Sequence, residues 1–236
     1  RFANAANNDD ITSLIIQGTS RASFRYYDEQ AATANITAQP DGGLFSAVEP
    51  VVVWAAPANH LVFTTQPLTL TAGVTSTVIT IQRRDRFNNP NSSDPSRRMT
   101  LTENSGGTTR FIHETNSTFL PMVGPSALLT ITNGSATASF RYSDTARGLY
   151  SITVTSALPT PITGASQNYR VLGAAPVRLK LVGPVAPPSQ TAGTPVQYTI
   201  TAFDQFSNQS DPYTGAHGLT FGGAAAAPNG TLPTVT

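Results

Sequence analysis

The side chains best suited to proton transfer or metal ligation in this sequence are three histidines, His60, His113 and His217. None has a second histidine or a carboxylate at the spacing of a ligand set or a catalytic triad, so each reads as an isolated imidazole. Thirteen acidic residues are present. Adjacent ones such as Asp28 and Glu29 would point to opposite faces of a strand, a poor arrangement for paired-carboxylate glycosidase chemistry. No G-x-S-x-G elbow, phosphate-cradling glycine loop or H-E-x-x-H occurs. The expectation is a protein that is not an enzyme, with no catalytic, cofactor-binding or metal site and no cofactor.

Two clusters still invite a chemical reading. Asp85, Asn89 and Asp94, with Asp204, Asn208 and Asp211 further on, offer the oxygen ligands that calcium prefers, although not at a calcium-loop spacing. The same Asp-x-Phe-x-Asn stretch suits a loop in which Asp and Asn bond their own backbone while the aromatic caps one end of a core. Around it lie Arg83, Arg84, Arg86, Arg97 and Arg98. These read as a solvated face paired with Asp85, Asp94 and Glu103, or as a basic patch for acidic glycans or a neighbouring subunit. Asn-x-Ser/Thr acceptors for glycosylation stand at Asn35, Asn91, Asn116, Asn133, Asn208 and Asn229.

Composition narrows the field further. Charged residues are 11% of the chain, the formal net charge is +1, and Lys180 is the single lysine. Such a balance does not steer a protein toward nucleic acid. Cysteine is absent, which removes disulfides and thiolate metal sites and leaves stability to burial. No apolar run approaches the roughly 18 residues of a bilayer span, so no membrane span is expected in this segment. The opening RFANAANNDD lacks the regions of a signal peptide and reads as mid-sequence, so any targeting segment is expected outside this stretch.

The elements that would carry these residues are strands. TVITIQ, LLTIT, ATASFRY, YSITVT and VQYTITAF are short, rich in β-branched and aromatic residues, and separated by Gly, Pro, Asn and Asp. No amphipathic helix is evident. In LLTITNGSATASFRY, Asn133-Gly134 suits a type I′ turn and predicts a β-hairpin with Ile131 opposite Ala136 and Leu129 opposite Ala138. Leu129, Ile131, Ala136, Ala138, Phe140 and Tyr142 would then share one face, with Ser139 and Arg141 on the other.

ASFRY occurs at Ala22–Tyr26 and again at Ala138–Tyr142, an offset of 116 that also pairs Asp28 with Asp144 and Ile36 with Ile152. AAP, TAG, Asp-x-Phe-x-Asn and SDP recur at offsets of 119, 120, 119 and 117, and Arg1-Phe2 answers Arg110-Phe111. These offsets define a repeat present about twice and cut out of phase. Residues 1–58 read as the C-terminal half of one repeat, 59–177 as a complete repeat, and 178–236 as the N-terminal half of another. A half sandwich cannot bury its apolar face. The expectation is therefore that the tail of one copy is completed by the head of the next.

The run HLVFTTQPLTLTAGVTSTVITIQRRDRFNNP, followed by ASFRYSDTARGLYSITVT, resembles the bacterial Ig-like repeats of surface proteins, of the invasin and intimin type. The resemblance rests on Thr71, Ala72 and Gly73, on Asp85, Phe87 and Asn89, and on Gly148 and Tyr150. It implies an all-β chain of tandem immunoglobulin-like β-sandwich domains, with a tyrosine-corner hydrogen bond confined to the middle repeat because Ala32 and Ala34 replace Gly148 and Tyr150 in the head. In some members a Lys-Asn isopeptide bond stiffens the domain; residues 59–177 contain no lysine, which leaves Lys180 as the candidate elsewhere. The expected role is a structural repeat of an extracellular, cell-surface fibre, sheath or filament that self-associates with neighbouring copies. The alternative is an adhesin or carbohydrate-binding module whose partner is a surface glycan or host protein.

Overall fold

The computed structural model describes residues 1–4, 6, 10–16, 20–42, 45–156, 160–183, 191–222 and 225–232. Their strands are β1 (Phe2–Asn4), β2 (Phe24–Tyr26), β3 (Ala32–Ala38), β4 (Ala47–Val53), β5 (His60–Phe63), β6 (Leu68–Thr71), β7 (Ile79–Arg84) and β8 (Arg97–Glu103), then β9 (Arg110–His113), β10 (Met122–Val123), β11 (Ser126–Ile131), β12 (Thr137–Ser143), β13 (Gly148–Ser156), β14 (Ile162–Leu172), β15 (Arg178–Val182) and β16 (Thr199–Phe203). There is no helix among the described residues. The chain falls into two compact units, Arg1–Leu172 and Gly173–Thr236.

β5 to β14 build an immunoglobulin-like sandwich. One layer runs β9-β12-β7-β5 and the other β10-β11-β8-β13-β14, with β6 beside β14. In immunoglobulin terms the first is D-E-B-A and the second, from β11 to β14, is C′-C-F-G, with β10 added at its edge. The first strand is shared between layers: β5 pairs antiparallel with β7, whereas β6 pairs parallel with β14. Pro67 lies between β5 and β6, where an amide donor is not needed for either ladder. One departure from the variable-type order is that β9, in the D position, precedes β11, in the C′ position, along the chain.

Alternation of side chains explains the core. Ile79 and Ile81 of β7, Met99 and Leu101 of β8, Ala127, Leu129 and Ile131 of β11, and Phe140 and Tyr142 of β12 are all buried, each two residues from the next. Ile152, Val154, Tyr169 and Val171 close the opposite layer. Burying a large apolar side chain of this kind contributes about 1.5–3 kcal/mol.

The Asn133-Gly134 segment does not make the expected hairpin. β11 pairs with β8 and β10, β12 pairs with β7 and β9, and the turn carries the chain from one layer to the other. The Ser135 N–H donates to Thr132 O at 3.2 Å, and Gly134 has φ 81° while Asn133 has no positive φ. That is the pattern of a type II turn, which needs one left-handed residue, not the two of type I′. Of the six residues expected on one face, Leu129, Ile131, Phe140 and Tyr142 are buried, but in opposite layers, while Ala136 and Ala138 are half-buried. Leu129 and Ile131 face Phe140 and Tyr142 across the core instead of lying beside them.

Three further sheets have two strands each: β1-β2, β3-β4 and β15-β16. Their registers reproduce parts of the sandwich. Phe2 opposes Tyr26 as Phe111 opposes Tyr142, and Ala32 opposes Val53 as Gly148 opposes Val171. Leu179 opposes Ala202 as Leu61 opposes Arg83. Even ring packing recurs. Phe2 lies 5.7 Å from Phe24 and 5.4 Å from Tyr26, while Phe111 lies 5.8 Å from Phe140 and 5.0 Å from Tyr142.

Candidate functional site

Asp85 follows β7 and turns its carboxylate into its own loop. Oδ1 accepts the N–H groups of Phe87 and Asn89 at 2.8 and 2.9 Å. Oδ2 accepts the Asn89 side-chain amide at 2.9 Å and the Ala56 N–H, also at 2.9 Å. Asp204 repeats each contact with Phe206, Asn208 and Ala174, at 2.8 to 2.9 Å. The loop geometry requires a left-handed residue, Asn88 in one copy and Ser207 in the other, both at φ 70°.

These carboxylates are fully engaged by N–H donors, an arrangement opposite to that of a cation site. Asp94 is occupied likewise, accepting from Ala58 N–H at 2.9 Å and the Asn91 amide at 3.2 Å. Among the described residues no group of three or more His, Cys, Asp or Glu could hold a metal ion. Burial alone would raise the Asp85 carboxyl, but the bonds from Asn89, Ala56 and Phe87 outweigh it and hold it below the usual carboxylate range. The same balance of burial against the Asn208, Ala174 and Phe206 donors acts on Asp204.

What the loop binds is chain. Through Ala56 and Ala58 it fixes the segment that enters β5, and Asn91 donates to Ala56 O at 2.6 Å. Asn89 also reaches the turn before β3, donating to Glu29 O at 2.7 Å and accepting from Ala31 N–H at 3.0 Å. The Asp-x-Phe-x-Asn loop is thus a clasp between the β1–β4 segment and the sandwich. Asn91, nominally a glycosylation acceptor, is buried in it.

The arginines form no common face. Arg83 is fully buried, and its guanidinium donates to the carbonyls of Asn91, Pro95, Asp94 and Ser135 at 2.6 to 2.8 Å. Arg97 is also buried and reaches Thr160 O at 2.7 Å. Arg84 bonds Gln82, and Arg86 lies over the Phe87 ring at 4.5 Å. Arg83 and Arg97 therefore belong neither to a solvated face nor to a basic patch, whereas Arg84 is half-buried and Arg86 and Arg98 are exposed. A signal was available: Arg83 is in phase with Ile79 and Ile81, and Arg97 with Met99 and Leu101.

The histidines lie apart. His60 sits between the Asn59 and Asn88 side-chain oxygens at 3.3 and 3.1 Å, His113 is exposed on β9, and His217 stacks on Tyr213 at 3.8 Å. The tyrosine corner forms where expected, with the Tyr150 hydroxyl donating to Arg147 O at 3.1 Å. It also explains the glycine, because a Cβ on Gly148 would stand 2.6 Å from the Tyr150 ring. Unforeseen from sequence was a buried chain of hydroxyls. Tyr142 and Tyr169 share a hydrogen bond of 2.7 Å, and Tyr169 donates to Asp144 at 3.1 Å. Burial pushes both phenols above their ordinary value.

Among the described residues of the second unit one face stands open. Leu61, Ile81 and Ile79 are 2%, 0% and 1% exposed in the sandwich, whereas Leu179, Ile200 and Tyr198, which occupy the same register, are 47%, 36% and 42% exposed. The cavity over this face measures about 390 Å³ and is lined by Leu179, Ile200, Ala202, Tyr213 and Leu219, among others.

No family model matches the chain, and no curated protein matches it. Among solved structures, domains 4 and 5 of the S-layer protein SbsC are 14% identical, with a TM-score of 0.32 over 60% of this chain and 65% of that one. A fragment holding domains 4–9 of that protein gives 15% and 0.34, over 76% of this chain and 25% of that one. A β-glycosidase from Bacteroides vulgatus gives 13% and 0.38, over 65% and 19%. The chain thus spans under two thirds of the length of each, and at these scores the likenesses carry nothing about activity or partners.

Proposed function

We propose that this chain is a non-enzymatic structural repeat of an extracellular, bacterial cell-surface fibre, sheath or filament, in which copies join head to tail by completing one another's sandwiches. The observation that carries the reading is the open inner face of β15-β16, apolar in the positions that the complete sandwich buries. A large apolar surface left in water marks an interaction site, and unpaired strand edges are templates for pairing with another chain. The clasp loops support a mechanical role, since they spend their carboxylates on holding successive segments together. The resemblance to surface-protein repeats supports the location.

Sedimentation velocity and electron microscopy of the purified chain test the reading. Expected are species that lengthen with concentration and fibres with a regular domain spacing. Monomers at all concentrations, combined with saturable binding to a glycan array, would replace it by the carbohydrate-binding alternative.

A further inference from the structure

The complete sandwich contains a template for what covers the open face. There β7 pairs on one edge with β5 and on the other with β12, in the register Ala138 opposite Ile81 and Phe140 opposite Ile79. The counterparts of β5 and β7 are β15 and β16, which pair with each other in the same register, and among the described residues the other edge of β16 has no partner strand. The counterpart of β12 is β2, which ends the first ASFRY and among the described residues pairs only with β1.

The side chains are matched as well as the edges. In the sandwich, Phe111, Phe140 and Tyr142 pack on one another and are buried, as are Leu61, Ile79 and Ile81 in the same layer, with Phe140 opposite Ile79. Phe2, Phe24 and Tyr26 already hold that ring arrangement, yet Phe2 and Phe24 are exposed. The cavity over β15-β16 is lined by Ile200, the counterpart of the Ile81 that Ala138 opposes in the sandwich.

We propose that the free edge of β16 receives β2 of a second copy of this chain, antiparallel, with Ala22 opposite Ile200 and Phe24 opposite Tyr198, and with Phe2, Phe24 and Tyr26 filling the cavity. This rests on the head-to-tail reading and adds the strands and the register.

Cysteine cross-linking in this cysteine-free chain tests the register. In the sandwich the outward side chains of Thr80 and Ser139 touch, Oγ1 to Oγ at 2.9 Å. Their counterparts are Thr199 and Ser23, both exposed. The double variant Ser23→Cys/Thr199→Cys, oxidised in dilute solution, is expected to give a ladder of oligomers on a non-reducing gel that collapses on reduction. Each single variant gives at most a dimer. The control Ser23→Cys/Thr201→Cys, displaced by two residues, is expected to cross-link at least roughly tenfold less, because diagonal positions exceed disulfide reach. Equal ladders from both pairs, or none from the first while the unaltered chain still self-associates in sedimentation, overturns the register and leaves head-to-tail assembly standing. A fast-migrating monomer with an internal disulfide overturns the second copy as occupant. No ladder and no self-association overturns both.

Discussion

Asp85 is buried and accepts four N–H donors from the half-buried chain around it, so removing its carboxylate leaves those donors without their acceptor. Asp85→Ala is expected to destabilise the first unit by about 3 kcal/mol or more, since each unsatisfied buried group costs about 1–3 kcal/mol. Calorimetry on this variant measures it directly. Because the folded-state carboxyl lies below its unfolded value, its contribution is complete above the ordinary carboxylate range, about pH 4, and is lost as pH falls through the folded value. Tm should therefore decline on acidification below about pH 4, and Asp85→Asn should flatten that decline. Gly148 supplies a second case. Gly148→Ala drives a methyl into the Tyr150 ring and should cost about 1–3 kcal/mol, whereas Gly148→Ala in a Tyr150→Ala background should cost less. The head already carries that pair as Ala32 and Ala34, and a double-mutant cycle gives the coupling. At this scale the sequence was readable where a motif is local: the Asp-x-Phe-x-Asn turn and the Gly-x-Tyr corner. Arg83 was misread because a charge was weighed by type and not by its phase with the buried isoleucines. The Tyr142, Tyr169 and Asp144 network joins strands far apart in sequence, and no local pattern announces it.

Strands were legible from β-branched residues and turn punctuation, but pairing was not. Asn133-Gly134 correctly marks a reversal, and a reversal between adjacent strands serves either a hairpin or a crossing between layers. What decides is whether β12 has better partners elsewhere, and β7 and β9 supply both of its edges. The turn type separates the two outcomes experimentally. In the type II geometry only Gly134 is left-handed, so Gly134→Ala should cost about 1–2 kcal/mol. Asn133→Ala should leave Tm nearly unchanged, whereas a type I′ turn would penalise both substitutions. Parallel thermal melts of the two variants read the difference.

For the whole molecule, the repeat offset was the most informative pattern in the sequence, because it told which strands correspond before any were placed. It did not reveal that the β1-β2 rings are already packed in the arrangement of the sandwich core. With 11% charged residues and a net charge of +1, association must draw on apolar burial. Self-association should weaken on cooling, as hydrophobic burial does, and should change little over a roughly tenfold rise in salt, since few charges are there to be screened. Sedimentation across temperature and ionic strength checks both. One feature of the sandwich bears on the fate of such an assembly in flow. β6 near the start of the sandwich and β14 at its end run parallel and share a ladder from Leu68 beside Tyr169 to Thr71 beside Leu172. Tension applied through the two chain ends would drag these strands past one another lengthwise. The ladder bonds lie across that direction, so they would resist together in shear and not open one by one like a zip, giving each sandwich a high threshold for rupture.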